Sequence, residues 1–201
     1  MIRGNIGGIS VCVSGYFLLA TVVVFWGDAS GMAAWGLLAA VGHELGHIWM
    51  MRRVGCEQCE VRIGLCGMRI LRRQEVGYGR EWKIHLAGGG VNLLVGAAGL
   101  AVYFLCGREV WVLRFSAAQG LVGGMNLLPI YPLDGGQALF ALLCLRMEGK
   151  RAERITNGVA VLCLCPLATV GFLVLFRTKY NGSLLSAAVM AMFLLVFKEK
   201  H

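Results

Sequence analysis

The chain has 201 residues, of which 58% are hydrophobic and 15% charged, and length alone allows one or two domains on a prior of roughly 150 residues each. A mean hydropathy of +0.70, with an apolar share above the roughly 45–50% of soluble domains, excludes an ordinary soluble domain and points to an integral membrane protein. The net charge of +8 does not imply nucleic acid, because the basic residues form no tract interleaved with aromatics.

The first apolar run covers 6–26 and the second 32–51. Each approaches the ~20 residues a helix needs to cross a bilayer core of ~30 Å. The first is long and lacks a persuasive small-residue cleavage site before the second, so it does not read as a cleaved signal peptide. Inside the second stands VGHELGHIWM, residues 41–50. His43 and His47 are i and i+4, so a helix carries both on one face, about 6 Å apart in rise. That spacing lets two imidazoles share a metal, with Glu44 placed to act on the water the metal activates. Ionisable groups inside a membrane span are costly and mark functional sites.

Eight basic residues follow between Arg52 and Lys83. Within this segment 60–73, EVRIGLCGMRILRR, alternates apolar and polar positions around Cys66-Gly67 and predicts a short hairpin at the membrane surface. Cys56 and Cys59 form a C-x-x-C with no second pair to complete a zinc ribbon, so they read as ordinary reduced thiols. The third run, 84–106, opens with His85, a candidate neighbour of the metal site, and LAGGGVN at 86–92. The fourth run, 111–128, leads into NLLPIYPLDGG at 126–136. Its prolines interrupt a helix, and Gly135 and Gly136 permit close backbone approach. Broken helices at membrane depth line water-filled cavities. Two histidines leave a zinc in need of a third protein ligand, and Asp134 is the one acidic residue besides Glu44 that stands between apolar segments rather than in a charged loop. The piece 138–145 is too short to span and is expected to continue the fourth helix beyond the break. Runs at 155–176 and 183–197 complete six spans.

Charge orients them. With a cytoplasmic N-terminus, Arg3, the 52–83 segment, Arg146, Lys150, Arg151, Arg154, Lys198 and Lys200 lie inside, and Arg108, Arg114, Arg177 and Lys179 outside. The positive-inside rule therefore favours both termini in the cytoplasm.

HELGH in the second span together with NLLPIYPLDGG in the fourth resembles the site-2 protease family of intramembrane zinc metalloproteases, and the compact layout is similar to its stage IV sporulation protein FB branch. The resemblance covers nearly the whole chain. It implies an all-α polytopic membrane protein, one domain over 1–201, with six transmembrane helices and a short membrane-associated β-hairpin between the second and third. It implies one Zn2+ held by His43, His47 and Asp134, with Glu44 as the catalytic carboxylate. Asn126 and Asn92 match family asparagines near the substrate, although Leu127 and Gly89 replace prolines common in those motifs. The implied activity is that of a zinc endopeptidase cutting a membrane or membrane-associated regulatory protein, such as a sporulation sigma-factor precursor, in a bacterial cytoplasmic membrane. An inhibitory membrane protein is an expected partner. No CBS or PDZ domain is expected. The alternatives are another H-E-x-x-H membrane peptidase, or a zinc-binding scaffold or transporter without hydrolysis; Glu44 separates them, since metal binding alone does not need it.

Overall fold

A computed structural model describes residues 2–6, 9–15, 31–56, 59–64, 67–72 and 76–178, with isolated positions between 19 and 28. Strand β1 is Ile2–Ile6 and β2 is Ile9–Val13. They pair antiparallel, Ile2 opposite Val13 and Ile6 opposite Ile9. The sequence ISVCV of β2 explains the strand: its β-branched residues alternate with smaller ones, the pattern of a pleated rather than a helical backbone. This corrects the first expected span, because Ile6 and Ile9–Val13 are strand. The described positions beyond them, Gly15, Leu19, Val22, Phe25 and Trp26, are helical.

Helix α1, Met32–Arg53, carries the histidines. At its start Asp28 accepts from the Ala33 amide (2.5 Å), which satisfies an orphan N–H and places negative charge at the positive end of the helix dipole. At its end Gly55 takes φ +78°. The Cys56 amide then donates to the Met51 carbonyl (2.9 Å) and Gly55 to Arg52 (3.2 Å). These are the paired bonds of a Schellman cap, and Cys56 buries itself on Met51 and Ile84 as the accompanying apolar contact. Cys56 is thereby a packing residue.

Strands β3, Cys59–Gly64, and β4, Gly67–Arg72, follow as an antiparallel pair, Cys59 opposite Arg72 and Gly64 opposite Gly67. They do not stand alone. β3 also runs parallel to β2, Ser10 opposite Glu60 and Val13 opposite Ile63, which makes a four-stranded sheet in the order β1-β2-β3-β4.

Helix α2, Tyr78–Cys106, begins six residues before the expected third span and ends at Gly107 with φ +130°. It packs against α1, against α3 (Val110–Asn126) and against α4 (Asp134–Cys144), so it is the axis of the helical part. The chain breaks its helix over 127–133, and α4 begins afresh at Asp134 rather than continuing the fourth helix. Helix α5, Gly149–Thr178, packs on α4 and contains Pro166. The sixth expected span, 183–197, lies outside the described residues.

Much of the interior between the helices is small or polar, with Met51, Ile84 and Ile130 as buried exceptions, and many large aliphatics face outward. Ala39, Ala118, Ala138, Asn92, Gln119 and Ser116 are buried, whereas Leu94 is 73% exposed and Leu105 83%. Helices Tyr78–Cys106 and Gly149–Val170 are long and apolar enough to cross a membrane, and only 17% of the apolar window in each is buried. A soluble core helix would have that window covered. The inverted distribution is what apolar surroundings produce, where small residues draw helices together by close packing.

Candidate metal centre

The candidate metal site is assembled where α1, α2 and α4 meet. On α1 the i, i+4 spacing turns His43 and His47 inward with Gly46 between them. All three are buried, while Leu38, Val41, Leu45 and Trp49 on the same helix are exposed. Two glycines let α2 come close. A Cβ on Gly46 would stand 2.9 Å from the Ala87 carbonyl oxygen, and one on Gly88 would run into His47 Nε2 and lie 2.9 Å from His43 Cε1. Only a hydrogen at residue 88 leaves room for the two rings.

Asp134 arrives from the other side, in the first turn of α4. The glycines after it explain the fold-back. A Cβ on Gly135 would overlap the Leu127 carbonyl, and one on Gly136 would lie 2.5 Å from the Ile130 carbonyl carbon. The D-G-G sequence thus lets the helix start hard against its own incoming connection. In that position Asp134 Oδ2 lies 2.8 Å from His43 Nε2 and 3.1 Å from His47 Nε2, and the two imidazole nitrogens are 3.1 Å apart.

The donor arithmetic of this trio bears on its chemistry. His47 Nδ1 is 2.7 Å from the Ile84 carbonyl. A carbonyl only accepts, so Nδ1 carries the hydrogen, and the Nε2 of a neutral ring presents a lone pair. That lone pair faces a carboxylate oxygen and the second imidazole. His43 Nδ1 is buried with no hydrogen-bond partner among the described residues, so either a hydrogen on His43 Nε2 or a metal cation can stand between these groups. A tetrahedral zinc with bonds of ~2.0–2.1 Å sets its ligand atoms about 3.3 Å apart, close to the 2.8–3.1 Å found here. Each residue offers one ligand atom, so the trio fits a zinc that keeps a fourth position open. The backbone bond from His47 is the outer contact that fixes tautomer and ring orientation in such sites.

Glu44 is half-buried next to His43, close enough to couple electrostatically to His43, His47 and Asp134. His85 completes the surroundings, with Nδ1 3.5 Å from Asp134 Oδ1 and Nε2 3.9 Å from Glu81 Oε1.

The two asparagines are not among the three candidate ligands. Asn92 is fully buried, and its amide donates to the Ala39 carbonyl (3.2 Å), tying α2 to α1. Asn126, at the last turn of α3, donates back to Val122 (3.0 Å) beside the 127–133 connection. The contributions of Gly88 and the Ile84 carbonyl are absent from the sequence reading. Both act through a neighbouring helix, and the run of three glycines at 88–90 was the only available signal.

Comparison with known proteins bears on this arrangement. A zinc metalloprotease of Methanocaldococcus jannaschii is 25% identical over 154 residues, which cover 72% of this chain and 45% of the relative. The chain therefore spans less than half the length of that protein. A solved site-2 protease from the same organism matches with a TM-score of 0.66 and 21% identity, over 100% of this chain and 95% of that one. The likeness shows that this chain has that protease's fold. No family model matches it.

Proposed function

We propose that the chain is an intramembrane zinc endopeptidase of the site-2 protease type. The convergence of His43 Nε2, His47 Nε2 and Asp134 Oδ2 on one point, with Glu44 alongside, carries the reading. The zinc metalloprotease relative and the shared fold support it. So do the outward-facing aliphatics and the two long apolar helices, which fit a bilayer.

Bound there, zinc supplies Lewis-acid polarisation of the scissile carbonyl and lowers the pKa of water toward ~7. His43, His47 and Asp134 hold it. Glu44 takes the proton of the attacking water and delivers it to the departing amide nitrogen. Asn126 is proposed to meet the substrate by giving up its bond to Val122. Asn92, which is fully buried, is proposed to act by holding α2 on α1 beneath the site. The substrate is a membrane or membrane-associated protein, and its scissile segment must be extended, because a helix hides its amides. β4 stands at the edge of the sheet order, and an edge strand is where an extended peptide adds by backbone hydrogen bonds.

The finer reading extends to a single domain over 1–201, six spans with the first confined to residues beyond β2 and both termini in the cytoplasm, an inhibitory membrane partner, and a sporulation sigma-factor precursor as substrate. It rests on loop charge and the resemblance to the sporulation branch.

The test is Glu44→Gln. It should keep stoichiometric zinc while cleavage of a co-expressed membrane-anchored precursor falls by about 100- to 10,000-fold, the usual contribution of a general base. Undiminished cleavage refutes the mechanism, and zinc uptake with no cleavage of any precursor by the native chain favours a scaffold.

A further inference from the structure

The two oxygens of Asp134 have different partners. Oδ2 points to both imidazoles, at 2.8 and 3.1 Å, and Oδ1 lies 3.5 Å from His85 Nδ1. The far nitrogen of the same ring is 3.9 Å from Glu81 Oε1, one helical turn earlier on α2. His85 is largely enclosed, with its side chain 12% exposed. The residue before it, Ile84, receives the hydrogen bond from His47. Residues 84 and 85 of α2 thus touch two of the three candidate ligands from behind.

Resting on the zinc reading above, we propose that His85 is a positioning residue that reserves Oδ1 of Asp134, so that the carboxylate binds the metal through Oδ2 alone. The chemistry requires such a device. A carboxylate ligand can bind through one oxygen or two, and a catalytic zinc must keep a position for water. Asp134 sits in the first turn of α4 with glycines on its C-terminal side, so its own helix offers no neighbouring side chain at 135 or 136 to hold the free oxygen. His85, reaching across from α2 and braced by Glu81, does so. Loss of this contact lets the carboxylate turn and bind through both oxygens, which raises the coordination number and crowds the water position without removing any ligand.

The experiment compares His85→Leu, His85→Gln and His85→Asn with the native chain in detergent, using zinc affinity by chelator competition and the visible spectrum of the cobalt-substituted protein. An Asn amide nitrogen stands where Nδ1 was, while a Gln amide nitrogen stands where Nε2 was and misses Oδ1. H85L and H85Q should bind zinc about 10- to 100-fold more weakly and shift the cobalt spectrum from four- toward five-coordinate intensity. H85N should keep affinity within a few-fold and the native spectrum. If H85L does not fold, H85Q against H85N still decides. Native affinity and spectrum in H85Q, or equal loss in H85N and H85Q, overturns the proposal. A native chain that takes up neither zinc nor cobalt instead overturns the metal reading on which it rests.

Discussion

Two regions of this molecule bury polar side chains among apolar helices, and they do so in opposite ways. Along the seam between α2 and α3, Ser116 donates back to the Val112 carbonyl (2.8 Å) and Asn126 to Val122 (3.0 Å), each on its own helix, while Asn92 donates across to Ala39. Each of these side chains spends its N–H or O–H on a nearby backbone carbonyl. At the junction of α1, α2 and α4 the pattern reverses. His47 spends its one hydrogen on Ile84 and turns a lone pair toward His43 and Asp134. A seam of donors satisfied by carbonyls is structural. Three atoms of metal-ligand type facing one another have instead the spacing that a cation can fill. Burial of polar residues does not identify a site, nor does a lone pair without a partner, as at Asn92 Oδ1 and Gln119 Oε1; the convergence of three ligand-type atoms on one point does.

Substitutions separate the two regions. The largest effect is expected from Gly88→Ala. The added methyl runs into His47 Nε2, and a ligand displaced by ~1 Å costs about 100-fold in turnover. Zinc content should fall with it, measured on purified protein. Gly123→Ala is intermediate. Its Cβ would lie 2.8 Å from that of Asn92 and 3.0 Å from the Gly89 carbonyl oxygen, so α2 and α3 must part. Overpacking of this kind costs about 1–3 kcal/mol. Thermal unfolding should shift accordingly, with zinc content of the folded fraction retained. The smallest effect belongs to Ser116→Ala, which removes a bond to a carbonyl four residues back on its own helix. Stability should change by at most about 1 kcal/mol, with activity unmoved. A Gly88→Ala protein with native zinc content, or a Ser116→Ala protein without zinc, would erase the distinction between the regions.

The candidate ligands are legible in the sequence because their chemistry is local. His43 and His47 announce a shared helix face by their spacing. Asp134 announces itself as a carboxylate between apolar segments, flanked by the glycines and prolines of a chain break. Both arrive at the same point in the structure. The sheet was less legible. ISVCV follows Ile6-Gly7-Gly8 and precedes a longer apolar run, so a window set for spans absorbed it, although its alternation is that of a strand. The parallel pairing of β2 with β3 joins residues some 50 positions apart, and no local pattern reports that. The renewed start of a helix at Asp134 was hidden by its short apolar length, which resembles the tail of a broken helix. Gly88, the Ile84 carbonyl and the His85 contact act only across helices, so periodicity within one helix could not assign them.

The central claim is a cation held by two imidazoles and one carboxylate oxygen, and X-ray absorption at the zinc edge of the purified, zinc-loaded chain tests it most directly. The account predicts two imidazole nitrogens and light oxygen scatterers at about 2.0–2.2 Å, with the imidazole signal lost in His43→Ala and His47→Ala. Sulfur neighbours at about 2.3 Å, or a spectrum unchanged by those substitutions, would contradict it.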